Sequence, residues 1–256
     1  MISCNNSGNK IDATDSTGSK SLSIEELKEA VNRYPDSLSL RNTLIDAYLK
    51  ESDIKNALTE QTEYVRRDSM NPEPISQLAA LQLASGDTLS AISNLRKSIA
   101  IAPNRAGDKV ELGFVYANRK DRTAILIADD ILNTFTNPTV KTNARYLKGI
   151  YYSNVGDKTR ALQQYDSCII YDYTFLDAHI EKGIILYDLK KYDQSIKSFE
   201  KVMSISSTNP EPYYWIGRNY EALGKKDEAA DYYKKTLGLD EHFEDAKKAL
   251  ENLSKK

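Results

Sequence analysis

The stretch from Asn143 to Glu241 reads NARYLKGIYYSNVGDKTRALQQYDSCIIYDYTFL (143–176), DAHIEKGIILYDLKKYDQSIKSFEKVMSISSTNP (177–210) and EPYYWIGRNYEALGKKDEAADYYKKTLGLDE (211–241). Laid one under another, the lines keep the same residue types in the same places. Gly149, Gly183 and Gly217 stand 34 residues apart, and so do Ala161, Ser195 and Ala229, then Tyr165, Phe199 and Tyr233, then Cys168, Val202 and Thr236. A fixed period of this length marks a solenoid of stacked supersecondary units, each unable to bury its apolar face alone.

Within one line the apolar spacing predicts two helices. Tyr213, Ile216 and Tyr220 fall on one stripe of residues 212–223, and Ala229, Tyr233, Thr236 and Leu237 on one stripe of residues 227–239. A glycine inside a helix costs about 1 kcal/mol relative to alanine, so three placed alike imply a close approach there. The expectation is that the Ala161, Ser195, Ala229 column meets the glycine backbone directly, while the aromatic column fills the wider space between units.

These residues resemble the tetratricopeptide repeat, a 34-residue helix pair with an aromatic, Leu-Gly, Tyr, Ala, Phe or Tyr, Ala and Pro at set places. The fullest copy is Tyr213, Ile216, Gly217, Tyr220, Gly224, Ala229 and Tyr233. Leu78, Ala79, Gly86, Ala91, Leu95, Ser98 and Pro103 form an upstream copy, and Leu44, Tyr48, Ala57 and Tyr64 a more degraded one. A small residue stands five before the alanine at Ser52, Gly86, Gly156 and Gly224. One unit departs: Gly113 to Ala124 is a residue short and Gly113 to Gly149 spans 36. A tighter first turn and a longer loop over Thr134 to Thr139 are expected there. The resemblance implies an all-α, right-handed superhelical solenoid that binds other proteins along a concave groove of first helices.

The domain reading that follows has four parts. Residues 1–20, rich in Asn, Ser, Gly and Thr, are expected to be a tether, since they cannot bury enough surface to offset ordering. Residues 21–35 are a lone second-half helix, opened by the Ser23/Glu26 capping box and stopped by Pro35. Six helix pairs occupy 36–243, divided near 38–71, 72–105, 106–141, 142–175, 176–209 and 210–243. Residues 244–256 are a closing helix expected to carry Lys247, Lys248, Lys255 and Lys256 on its outer side.

A net charge of −2 with mixed signs supplies no basic field for nucleic acid. No apolar run approaches the roughly 18 residues of a membrane span. Tyrosines number 17 against 5 phenylalanines, which fits core aromatics that also need a wettable edge. Cys168 shares a small-residue column and reads as a buried, inert thiol. Cys4 is different. Met1-Ile2-Ser3-Cys4 resembles the lipobox of bacterial lipoproteins, which implies a lipidated Cys4 and a chain that starts near its mature end. Membrane attachment then runs through the lipid, on the bacterial envelope and on its outer membrane. The alternative is a cytoplasmic scaffold with an idle Cys4.

The search for chemistry is nearly empty. His179 and His242 have no Cys or His at ligand spacing, so no metal site is expected. No phosphate loop, HExxH or GxSxG occurs. Neither a cofactor nor catalysis is expected. The face left free by the packing columns runs at i, i+4, i+7 and gives Val110, Phe114 and Ala117; Tyr146, Ile150 and Ser153; Ile180, Ile184 and Tyr187; Tyr214, Arg218 and Glu221. Glu73, Glu111, Asp177, Glu181, Asp188 and Glu211 flank it. Such a strip, where exposed, suits a protein or peptide segment with apolar anchors and basic flanks. Co-chaperone members of the family hold a C-terminal carboxylate with Lys and Asn, but the matching positions here are Asn42 and Asp46, Ser76 and Ala80, or Tyr146 and Ile150. No chaperone tail is expected.

Overall fold

The structure, a computed structural model, describes residues 22–254. The tether with Cys4, and Lys255 and Lys256, lie outside the described residues. Among the described residues every regular element is a helix, and the chain divides between Ser69 and Met70 into two compact units.

The first unit holds α1 (Ile24–Arg33), α2 (Leu38–Lys50) and α3 (Ile54–Arg67). The Ser23 N–H donates to Glu26 at 2.8 Å and the Glu26 N–H returns a bond to Ser23 Oγ at 3.3 Å, the expected capping box. Leu27 and Val31 bury the apolar stripe of α1, which packs on α2. Ala57 and Val65 do the same for α3, with Arg41 paired to Glu60 beneath them.

The second unit runs through α4 (Pro72–Ala84), α5 (Thr88–Ile101), α6 (Ala106–Asn118), α7 (Thr123–Thr134), α8 (Pro138–Asn154), α9 (Lys158–Tyr171), α10 (Leu176–Asp188), α11 (Tyr192–Ile205), α12 (Glu211–Ala222), α13 (Lys226–Leu239) and α14 (Glu244–Ser254). Each helix packs chiefly on its neighbours in sequence, as a solenoid requires. The nine side chains of the three second-helix columns, from Ala161 to Thr236, have no exposure at all.

The glycines are correctly located as close contacts, but their partner differs from the expectation. A Cβ on Gly149 would lie 2.4 Å from the Tyr165 ring, on Gly183 2.6 Å from the Phe199 ring, and on Gly217 2.6 Å from the Tyr233 ring. The aromatic of the same pair lies against the glycine, so ring rather than backbone excludes the side chain. Direct approach of the small column survives at its edge, where Ala229 O is 3.3 Å from the Gly217 position and Ser195 Oγ donates to Gly183 O at 2.8 Å.

Upstream, the two positions trade volume. Where glycine faces an aromatic in the last three pairs, the second has Ala79 with Leu95 and the first Ile45 with Gln61, all buried. The irregular unit has small residues at both, Gly113 and Ala128, and Leu147 of α8 fills the hole, its Cδ1 2.1 Å from the place of a Gly113 Cβ.

The irregular spacing is absorbed in two ways. The short side is the expected tighter turn: α7 opens with three-residue bonds, Ala124 N–H to Asp121 O and Ile125 N–H to Arg122 O, where Ala57, Ala91 and Ala161 bond back four residues. The long side is not a long loop. Only residues 135–137 separate α7 from α8, and the surplus becomes helix, because Asn137 caps Val140 N–H at 3.2 Å and Pro138 starts the first turn. Helix α8 therefore begins ahead of the expected boundary at 142.

Candidate first-helix binding face

Each pair turns through one left-handed residue, at Ser52, Gly86, Lys120, Gly156, Lys190 and Gly224. That explains the small residues at four of these places, and the turn fixes how each first helix presents its outward face.

The predicted strip is only partly open. Val110 and Phe114 are half-buried against the core around Leu112 and Leu147, and Ala117 is fully buried. Tyr146 is also half-buried, with its ring 5.8 Å from Phe114 and 5.2 Å from Phe175. Ile150 packs against the clusters on both sides of it. Ile184 is half-buried beside Ile180 and Ile216. Ile180, 9% exposed, and Tyr214, 8% exposed, belong to the core rather than to an open surface. Periodicity does not tell how far neighbouring side chains reach: the Phe243 ring lies 5.1 Å from Tyr214 and covers it. Tyr187 keeps an open edge, set against Trp215 at 5.6 Å.

The same helices also carry carboxylates, and Glu211 accepts from Trp215 Nε1 at 3.4 Å. Glu73 is paired with Arg105 and Asp188 with Lys158, which removes both from the free set. Glu111, Asp177, Glu181 and Glu211 have no ion pair among the described residues. Burial pushes the Glu181 carboxyl above the usual range, and Glu211 and Asp177 push it further. Burial likewise raises Glu111, with Asp108 adding to it. Burial raises the Tyr146 phenol too, and Glu181, Asp177 and Glu211 reinforce that rise.

At the far end of the face a cavity of about 550 Å³ is lined by Tyr187 of α10, Tyr214, Arg218 and Glu221 of α12, and Asp245, Lys248 and Asn252 of α14. Arg218 is half-buried; its guanidinium donates to Tyr214 Oη at 2.9 Å and to Tyr187 Oη at 3.3 Å. Burial opposes its charge, yet the two phenols hold it charged and the net shift is upward. Lys248 corrects the expectation for the closing helix, because it lines this cavity instead of the outer side; Lys247 pairs with Glu244 at 3.0 Å. The signal was in the sequence: one more step of 34 carries Tyr214 to Lys248 and Arg218 to Asn252.

The residues screened for chemistry are occupied structurally. Burial lowers the His179 pKa, so the ring is neutral near pH 7 and its Nε2–H donates to Tyr173 O at 3.0 Å. Cys168 is fully buried with its thiol pushed up to about 12 by burial, 3.6 Å from Thr142 O. Among the described residues no cluster of His, Cys, Asp or Glu could hold a metal, and no helix is long and apolar enough to cross a membrane.

Sequence models of the tetratricopeptide repeat match residues 183–224 and 210–243. A TPR repeat-containing protein of Methanocaldococcus jannaschii is 32% identical over 97 residues, 38% of this chain and 30% of that protein, so the chain spans less than a third of that relative. Among solved structures, a tetratricopeptide repeat protein from Parabacteroides merdae aligns over 90% of this chain and 91% of its own, with a TM-score of 0.73 and 19% identity. PilW, a widely conserved type IV pilus biogenesis factor, aligns over 84% and 97%, with a TM-score of 0.69 and 18% identity. At such identities the structures speak for the fold, an all-α solenoid of helix pairs. By sequence, residues 183–243 match the tetratricopeptide repeat, and the helix pairs before them share the fold of solved tetratricopeptide-repeat proteins.

Proposed function

We propose that the chain is a non-catalytic protein-interaction scaffold whose first helices hold a polypeptide segment with basic side chains. The observation that carries this reading is a pair of half-buried carboxylates without cations among the described residues, Glu181, which acts on Tyr146, and Glu211, which accepts from Trp215 Nε1 at 3.4 Å, with Glu111 a further unpaired carboxylate on α6. Desolvated charge without a partner is unfavourable in the free protein, and a lysine or arginine from a bound chain relieves it. Aromatic edges beside it add cation–π attraction. Phe114, Tyr146, Ile150, Ile184 and Tyr187 supply shallow apolar contact at that face; Val110 lies deeper, and Ile180 and Tyr214 support it from below.

The test compares crosslinked capture by the parent, Tyr146→Ala and Glu181→Gln, each checked for unchanged helicity. The captured partner should be depleted severalfold in both variants. Equal capture by all three would remove the face from consideration.

The second part of the proposal is a lipid anchor at Cys4, which would place the scaffold on a bacterial envelope membrane with residues 1–20 as its reach. Support comes from the Met1-Ile2-Ser3-Cys4 pattern. One acyl chain holds only marginally at ~0.8 kcal/mol per methylene, whereas several on one cysteine anchor stably. Radiolabelled palmitate should enter the parent and not Cys4→Ala. Label in neither protein, or in both equally, favours the cytoplasmic scaffold without lipid.

A further inference from the structure

Away from the first-helix stripe, the α10–α11 pair holds a separate cavity of about 310 Å³, lined by His179 and Lys182 of α10 and by Gln194, Lys197, Ser198 and Lys201 of α11. Lys182 stands two residues from both Ile180 and Ile184, about 200° around the helix from the stripe they belong to. Part of the wall belongs to the core, since His179 is 6% exposed and Ser198 7%. Three lysines line the cavity and no carboxylate does. Lys182 is held by Asp166 of α9 at 2.6 Å, and Lys201 stands 5.3 Å from the centroid of the Tyr173 ring. Lys197 and Lys201 have no carboxylate within ion-pairing distance among the described residues. They lie one turn apart on α11, the spacing at which like charges repel. Burial lowers the His179 pKa, and the charges of Lys182 and Lys201 lower it further. The repeat does not call for this trio. One period earlier the places of Lys197 and Lys201 hold Gln163 and Ser167, and one period later the three places hold Ile216, Asp231 and Lys235.

We propose that this cavity binds a doubly charged phosphate group, with Lys197 and Lys201 as its principal cations, Lys182 as a third and the Gln194 amide as a neutral donor. Repulsion among the lysines is unfavourable in the free protein, and a bound dianion relieves it. Phosphate is favoured over carboxylate because ammonium groups act as separate point charges that suit oxygens spread around a tetrahedral centre, whereas a planar carboxylate matches the fork of an arginine. An uncompensated lining favours a dianion over a monoanion. A soluble phosphate ester and the headgroup of a phosphatidate lipid present the same group. The site lies apart from the acidic stretch of the first helices and does not depend on what binds there.

The chain has two histidines, and only His179 borders the cavity; His242, fully outside it and exposed, serves as an internal control. The test follows the ring Cε1–H resonances of both by NMR at constant pH and ionic strength while inorganic phosphate, glycerol 3-phosphate or acetate is added. The expected result is a saturable shift of His179, not of His242, with both phosphates in the millimolar range and little response to acetate. Lys197→Gln and Lys201→Gln should each weaken the phosphate response by about tenfold, with helicity unchanged. Sedimentation with vesicles of equimolar phosphatidylcholine and phosphatidate separates the sources. Pelleting of the parent that glycerol 3-phosphate competes away and Lys201→Gln lacks identifies the lipid headgroup, whereas a parent that stays in solution identifies a soluble phosphate. A His179 resonance that moves no more than that of His242, an equal response to acetate, or an unaltered response in the variant lacking both Lys197 and Lys201 would overturn the proposal.

Discussion

At Gly183 the space between the helix and the Phe199 ring admits a hydrogen and nothing larger. Replacing that hydrogen with a methyl puts a Cβ 2.6 Å from a fully buried ring that has little freedom to move. Gly183→Ala should lower stability by about 1–3 kcal/mol in urea unfolding, and Gly183→Leu by at least as much. Adding Phe199→Leu, which recreates the Ala79 and Leu95 combination, should return part of that loss as a favourable coupling of about 0.5–3 kcal/mol. Strict additivity would mean the ring and the glycine do not share the space. Hydroxyls on the same column differ in worth. Tyr165 Oη is buried, with Ser153 beside it but no hydrogen bond of good geometry among the described residues, whereas Tyr233 Oη donates to Glu221. Tyr165→Phe should leave the melting temperature unchanged or higher, and Tyr233→Phe should cost about 1 kcal/mol. Glu181 gives a pH signature. Its folded pKa lies above the unfolded value, so its ionisation disfavours the fold at neutral pH, and that penalty fades as pH falls through the folded value. Glu181→Gln should therefore be the more stable protein near pH 7, with the difference gone below the ordinary glutamate value of 4.5. A parent that loses no relative stability between pH 4 and pH 7 would contradict it.

Among the helices, the turns are the most uniform part of the architecture. All six pairs place one residue in the left-handed region, three as glycine and three as Ser52, Lys120 and Lys190. A non-glycine residue pays about 1–2 kcal/mol there, so Lys190→Gly should gain about 0.5–1 kcal/mol after the entropy of the freer unfolded chain is deducted. Gly224→Ala should lose about 1 kcal/mol by the same argument, and denaturant midpoints of the two variants on opposite sides of the parent would bear it out. Between α10 and α12 a buried polar chain explains why Ser195 stands in a column otherwise held by alanine: its Oγ donates to Gly183 O and accepts from Asn219 Nδ2 at 3.0 Å. Helix α8 shows how an insertion can lengthen a helix rather than a loop. Pro138 after Asn137 is a start signal that could have been read from the sequence alone.

For the whole molecule, a formal charge of −2 conceals a local excess of negative charge on the first-helix face. Capture of a basic segment should weaken as salt rises, since the screening length is ~10 Å at about 0.1 M; salt-independent capture would favour the apolar contacts instead. The helix pairs were legible because a period of 34 repeats in four columns, each column fixed by one packing need. Depth was not legible. Nothing in the spacing of Tyr214 tells that Phe243 covers it, or in Gly183 that a ring rather than a backbone arrives, because burial depends on what neighbouring helices send across the gap. The exchange of volume between the first and second helix of a pair, Ala79 with Leu95 upstream and Gly183 with Phe199 downstream, carries a consequence for how such arrays can be rebuilt. A regular hairpin moved whole brings its own lock and key, whereas the α6–α7 pair must keep Leu147 of α8 with it, and a splice through the middle of a hairpin would join a hollow to a hollow or a ring to a methyl. Shuffling, by engineer or by duplication, is thereby confined to cuts in the connections between hairpins.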